Sequence, residues 1–274
     1  MKKRIFVLTV AVLIALIFTG CSNDNGNNEI PEYITIKGER YETSLTELVL
    51  IGANLENSDI EPLKYMINLT SLNLADNQIS DISSLAELTN LTGLFLPNNQ
   101  ISDISVLSGL KNLTELYVGG SQVSDISALS GLTNLTTLNL YGTLIADTSP
   151  LAELKNLTSL NLADNQISDV SALSELTNLT ELLLSVNQIS DVAPLTKLTK
   201  LVQLALNNNQ ISDVSALSGL TNLTELFVMN NQVSDISTLL ELNNLMMLYL
   251  VGNPLSDDQI SELKTALPNV NIEY

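Results

Sequence analysis

The sequence predicts an α/β repeat solenoid, a horseshoe with parallel β-strands on its concave face and short 3-10 turns on its convex face. Three observations predict it. The first is a period. Leucine recurs every 22 residues, at Leu69, Leu91, Leu113, Leu135, Leu157, Leu179, Leu201, Leu223, Leu245 and Leu267, each opening the phrase L-x-x-L-x-L with valine allowed at later positions. A fixed period near this length marks a leucine-rich repeat, in which no single turn can bury its own apolar face and each stacks on its neighbours to do so. The second is spacing. In residues 69–90, LTSLNLADNQISDISSLAELTN, Leu72 and Leu74 lie two apart and share one side of a short strand, while Ile79, Ile82, Leu85 and Leu88 recur every three residues, as a 3-10 turn requires. The third is composition. Of 274 residues 45% are hydrophobic, enough for one long core.

The chain opens on a leader. Residues 1–20 have the form of a signal peptide: Lys2, Lys3 and Arg4 precede an uninterrupted apolar run over 5–18, which falls short of the ~20 residues a membrane-spanning helix needs. The F-T-G-C ending at Cys21 resembles a bacterial lipobox, with Phe18 where an aliphatic residue is commoner. That resemblance implies that Cys21 is lipidated and becomes the mature N-terminus; ordinary secretion is the alternative. One acyl chain anchors a protein only marginally, whereas the diacylglyceryl group implied here supplies two. After Cys21, the polar run SNDNGNNE completes a flexible tether over 21–29.

Residues 30–44 are expected to form an N-terminal β-hairpin cap, with YITIK (33–37) as one strand, Gly38-Glu39 as the turn and 40–43 as the other. The repeats occupy 45–254. Leu45, Leu48 and Leu50 form a first, irregular one, with two extra residues before Asp59-Ile60. In the regular repeats Ser71, Asn73 and Ala75 should point away from the core onto the concave face. Asn77 then turns the chain. Its column continues as Asn99, Ser121, Thr143, Asn165, Asn187, Asn209, Asn231 and Asn253. Ser121 and Thr143 can still hydrogen-bond, so this ladder is expected to bend there without breaking. Asp81 is placed to cap the convex turn, and the same Asp recurs as Asp103, Asp125, Asp147, Asp169, Asp191, Asp213 and Asp235. Capping, copied with the repeat, is preferred to calcium binding for this column. The N-L-T sequons at Asn68, Asn90, Asn112, Asn134, Asn156, Asn178 and Asn222 likewise form one column and are assigned no glycan.

Residues 255–274 are expected to cap the far end. Ser256 and Gln259 make a capping box, Ile260, Leu263 and Leu267 share a helical face, Pro268 stops the helix, and Val270 and Ile272 should take the strand positions of Leu72 and Leu74. On this reading the fold is complete at Tyr274, with no second domain, sortase motif or transmembrane tail.

Charge and rare residues narrow the function. Lys and Arg number 11 against 30 Asp and Glu, a net charge of −19. Without the leader 8 basic residues face 30 acidic ones, a net −22. Such a surface repels phosphate backbones, so nucleic acid is excluded as a partner, and it favours a protein with a basic surface. Cys21 is the one cysteine, and there is no His or Trp. No His-dependent triad or internal disulfide can form, and no cofactor, metal site or small-molecule substrate is predicted. No nucleophile–base pair stands out from the repeat columns, so the chain is not expected to be an enzyme.

Subtracting the repeat leaves two groups of large residues among the outward strand positions. Phe95, Tyr117 and Tyr141 lie on three successive repeats; Phe227, Met229, Met247, Tyr249 and Val251 lie on two, with Leu183 between the groups. Phe95–Tyr117 and Phe227–Tyr249 each share a strand position on adjacent repeats, so their rings should touch. Glu115, Glu181 and Glu225 flank them, and no basic residue stands among these positions. Large apolar groups on an exposed face commonly serve recognition. The groups are five repeats apart, about 25 Å at strand spacing, a span suited to a folded protein or an extended polymer.

The phrase LTNLTELLLSVNQISDVAPLTKL (176–198) looks like the 22-residue repeat of the internalin family of bacterial surface proteins, and the resemblance covers residues 45–274. It implies a solenoid displayed outside the cell that binds a protein partner through its concave face. Two family features are missing: an immunoglobulin-like domain after the repeats, and a cell-wall signal in place of the lipobox-like anchor. The function expected is therefore a cell-surface, lipid-anchored protein-interaction module on the outer face of a bacterial membrane, with a cell-wall or host glycan-binding adhesin as the alternative.

Overall fold

The computed structural model describes residues 30–274. Cys21, the leader and the tether lie outside the described residues. Eleven parallel strands form one sheet in strict sequence order: β3 (Glu47–Val49), β4 (Ser71–Asn73), β5 (Gly93–Phe95), β6 (Glu115–Tyr117), β7 (Thr137–Asn139), β8 (Ser159–Asn161), β9 (Glu181–Leu183), β10 (Gln203–Ala205), β11 (Glu225–Phe227), β12 (Met247–Tyr249) and β13 (Asn271–Glu273). Every strand is three residues long, because only three positions separate the two turns of each repeat. From β4 to β12 the register is the sequence period itself: Leu72 pairs with Leu94, and so on to Leu226 with Leu248. A 3-10 turn opposes each regular strand, as at Ser83–Leu85 and Ser215–Leu217. Between strands and turns lies one continuous core, in which the two inward strand leucines and the three-spaced Ile79, Ile82, Leu85 and Leu88 are all buried. The architecture is the leucine-rich-repeat solenoid that the period predicts.

Two ladders hold the repeats in register. Asn77 accepts the Leu55 N–H at 2.9 Å and donates to the Leu50 and Leu74 carbonyls at 2.8 and 2.9 Å, so one amide closes its own turn and ties it to the preceding repeat. Asn209 does the same for Ile189, Leu184 and Leu206. At Ser121 the ladder is interrupted, contrary to the expectation that it only bends. The shorter side chain reaches none of these groups, and its hydroxyl is buried without a partner. Thr143 bridges further, its Oγ1 lying 3.0 Å from Leu140 O and 2.6 Å from Asn165 Oδ1, but one hydroxyl hydrogen serves only one of them. The second ladder uses the sequons. Asn90 Nδ2 donates to Ile67 O and Thr92 Oγ1 to Thr70 O, and the pattern recurs up the stack at Asn178 and Thr180.

Each end differs slightly from its sequence reading. β1 (Tyr33–Ile36) and β2 (Glu39–Glu42) pair antiparallel, Ile36 opposite Glu39, so the turn is Lys37-Gly38 and not Gly38-Glu39. Both turn residues have positive φ, 49° and 87°, the geometry whose twist matches a two-residue hairpin, and Gly38 accepts the second position without strain. Ile34 and Ile36 are buried, and Lys37 pairs with Asp59 at 2.8 Å beside the short helix α1 (Asn57–Ile60). At the other end α2 (Asp257–Ala266) starts on the Ser256–Gln259 capping box. This helix replaces a 3-10 turn and uses more chain, so Ile272 pairs with Leu248, in the column of Leu72 and not of Leu74. Val270 precedes the strand.

Candidate partner-binding surface

Residues on either side of each inward strand leucine face the concave side. The central outward column runs Val49, Asn73, Phe95, Tyr117, Asn139, Asn161, Leu183, Ala205, Phe227, Tyr249 and Glu273, each paired in register with the next. Phe95 and Tyr117 approach to 5.1 Å between ring centroids at 33°, and Phe227 and Tyr249 to 5.2 Å at 17°. Offset ring contacts of this length contribute about 0.5–1.5 kcal/mol beyond area burial, so each pair is a preformed platform. All four rings are half-buried.

The remaining sites do not join these pairs directly. Tyr141 and Val251 are exposed and Met229 is half-buried in the next column, beyond the strands' ends. Met247 occupies the column on the other side, in register with Glu225. Leu183 shares the ring column but stands between Asn161 and Ala205, with no ring beside it. Ala75, expected to face outward, is buried, because its methyl is too short to rise above its neighbours. Exposed apolar residues that the repeat pattern alone does not single out include Val49 on the first strand, Ile51 in the turn after it, and Val202 and Met246, which share one column. A 24-residue spacing before the regular repeats hid Val49 and Ile51; aligning Leu48 with Leu72 would have found them.

Acidic groups rim the rings. Tyr117's hydroxyl is pushed above its ordinary pKa by burial first, then by the charges of Glu115 and Glu181. Glu181 accepts the Ser159 hydroxyl at 2.5 Å. The amide oxygens of Asn73, Asn139 and Asn161 are already spent, each accepting the backbone N–H two residues on. On the convex side Asp103, Asp125, Asp169, Asp213 and Asp235 are held below the usual carboxylate range, chiefly by the backbone N–H of the serine two residues later and then by that serine's hydroxyl. Asp213 Oδ1 accepts Ser215 N–H at 2.8 Å, one residue outside the formal cap position of the 3-10 turn. The column therefore works as a set of turn caps. Among the described residues no three His, Cys, Asp or Glu side chains converge as a metal site.

The family described as Leucine Rich repeats (2 copies) matches over residues 67–109, 89–131, 133–175 and 177–219. No curated protein sequence matches. Among solved structures, an internalin (inlF) from Listeria monocytogenes is 33% identical, with a TM-score of 0.68 over 86% of this chain and 83% of that one. An internalin C2 from the same organism is also 33% identical, with a TM-score of 0.58 over 80% and 86% of the two chains. A leucine-rich-repeat protein from Leptospira interrogans shares the fold at 23% identity, with a TM-score of 0.55 over 78% of this chain and 74% of that one. Proteins of this architecture commonly use the extended concave surface for protein–protein interaction. The chain belongs to the leucine-rich-repeat proteins and, within them, is internalin-like.

Proposed function

We propose that the protein is a cell-surface interaction module, anchored by lipid at Cys21 to the outer face of a bacterial membrane, that binds a basic protein partner through its concave face. The observation that carries this reading is the pair of ring platforms, Phe95–Tyr117 and Phe227–Tyr249, on the face the core does not need. Each offers an apolar anchor with carboxylates nearby and no basic side chain in the strand columns, an arrangement complementary to Lys or Arg beside apolar groups. The anchor rests on the leader and F-T-G-C at Cys21.

A crosslinking pull-down from intact cells tests the site. Replacing Tyr117 and Tyr249 with Ala should weaken partner capture at least tenfold while lowering the thermal midpoint by only a few degrees, so that the protein stays folded at the assay temperature; undiminished capture would reject the site. For the anchor, Cys21→Ser should remove incorporation of a clickable fatty acid and release the protein to the medium, and persistent labelling would rule the assignment out. Glycan binding is a second reading, favoured by the half-buried rings and by the Asn139 and Asn161 amide nitrogens on adjacent strands. Pull-down on purified wall polymer separates the two.

A further inference from the structure

At the turn after each strand one residue takes positive φ, and the column reads Asp76, Asn98, Gly120, Gly142, Asp164, Val186, Asn208, Asn230 and Gly252. Eight of these are Asp, Asn or Gly, the residues that tolerate this conformation. Val186 is not one of them. It holds φ 58° with a β-branched side chain, a strained state, and 45% of it is exposed, so burial does not compensate.

The exception acts on its neighbour. Elsewhere in the column an asparagine ties down the residue one repeat before it: Asn98 donates to Asp76 at 2.8 Å, and Asn230 to Asn208 at 2.8 Å. Val186 has nothing to donate, and Gly142 on the other side has no side chain. Among the described residues, Asp164's exposed carboxylate therefore has no partner. Apolar groups flank it. Tyr141 and Leu144, 50% and 47% exposed, lie one repeat before, Leu144 standing where most repeats present Gln. Val186 lies one repeat after.

We infer that Asp164, between Tyr141 and Leu144 on one side and Val186 on the other, is a rim subsite for a Lys or Arg of the partner flanked by apolar side chains. The inference rests on the partner-binding reading above and extends it over the rim, midway between the two ring platforms. Charge selects the occupant. A second copy of this acidic chain would bring like charge to the subsite, whereas a basic polypeptide segment meets an unpaired carboxylate with apolar surface at both ends. An asparagine at 186 would relieve the strain and occupy Asp164, whereas Val186 leaves that carboxylate open and adds an apolar side chain beside it.

Two variants and one probe test this. Val186→Asn should raise the thermal midpoint by about 2 °C or more, as strain is lost and the Asn–Asp bond forms. The probe is a random peptide display library selected on the purified protein. Enriched peptides should carry Lys or Arg beside apolar residues, and should bind Val186→Asn and Asp164→Asn at least tenfold more weakly than the parent. No gain in midpoint for Val186→Asn, peptides without basic residues, no enriched peptide, or equal binding to both rim variants would each overturn the subsite. Tyr117→Ala and Tyr249→Ala run in parallel. If they abolish binding while the rim variants do not, the concave reading stands and the rim subsite falls; if none of the four variants weakens binding, both fall.

Discussion

The two ring platforms are alike in chemistry and differ in what lies beneath them. Phe227–Tyr249 stands over an unbroken run of amides from Asn165 to Asn253, each closing its own turn and binding the one before. Phe95–Tyr117 stands beside Ser121, whose buried hydroxyl bonds nothing, and Thr143, which makes at most one of the three usual bonds. In a solenoid each repeat touches only its neighbours, so such a defect stays local in cause but divides the stack in cooperativity. Recognition surface and scaffold therefore vary independently: an equivalent platform is built on a strong joint and on a weak one.

Substitutions at the two joints should separate them by stability. The largest effect is expected at the strong joint. Asn209→Ala removes donors to Leu184 and Leu206 and strands the Ile189 N–H, and should cost about 2–3 kcal/mol in denaturant unfolding. Ser121→Ala, which removes an already unpartnered group, should cost almost nothing or stabilise slightly; an equal loss at both positions would erase the distinction. Next, Ser121→Asn should extend the ladder and gain about 1 kcal/mol, with slower amide exchange at Ile101 as the readout.

The capping aspartates are expected to ignore the joint. Asp125, near Ser121, and Asp213, in the intact half, both titrate below the usual range. A depressed folded pKa means stability that is complete above the unfolded value, about 3.9, and lost as pH falls through the lower folded one. Thermal midpoints should therefore decline below about pH 4. Asp125→Asn and Asp213→Asn, which keep the accepting oxygen but cannot titrate, should each flatten that decline to a similar extent. The smallest effect belongs to the Lys197–Glu175 pair, 2.5 Å apart but more than half exposed on both sides. Lys197→Ala should change stability by no more than about 0.5 kcal/mol, and less in high salt.

What was legible in the sequence follows from the same contrast. Columns shared by every repeat could be read directly, because a period states both residue and role: the inward leucines, the Asn turn and the capping Asp all stand where 22-residue spacing puts them. The departures were visible as letters, but their consequences were not. Ser121 looks able to hydrogen-bond; only the depth of its position shows that the hydroxyl falls short. Leu72 predicts Leu94, yet Ile272 slips by two because α2 consumes more chain than the turn it replaces. Of the candidate site, the contact of Phe95 with Tyr117 follows from shared register, while Val49 and Ile51 were lost to an irregular first repeat. Val186 could have been noticed as the odd letter among Asp, Asn and Gly, but its backbone strain exists only in three dimensions.

The hydrogen bonds made by the N-L-T column bear on how the protein can be manufactured. Asn90, Asn112, Asn134, Asn156 and Asn178 each donate to a carbonyl of the repeat before, and neighbours in the column sit roughly 5 Å apart. A eukaryotic secretory pathway would meet these acceptor sites on the nascent chain, before the stack exists. A branched oligosaccharide is wider than the spacing between them, so a fully decorated chain could not close its repeats. Yield of folded protein from such a host should rise when N-glycosylation is blocked enzymatically, and a bacterial host should need no such step.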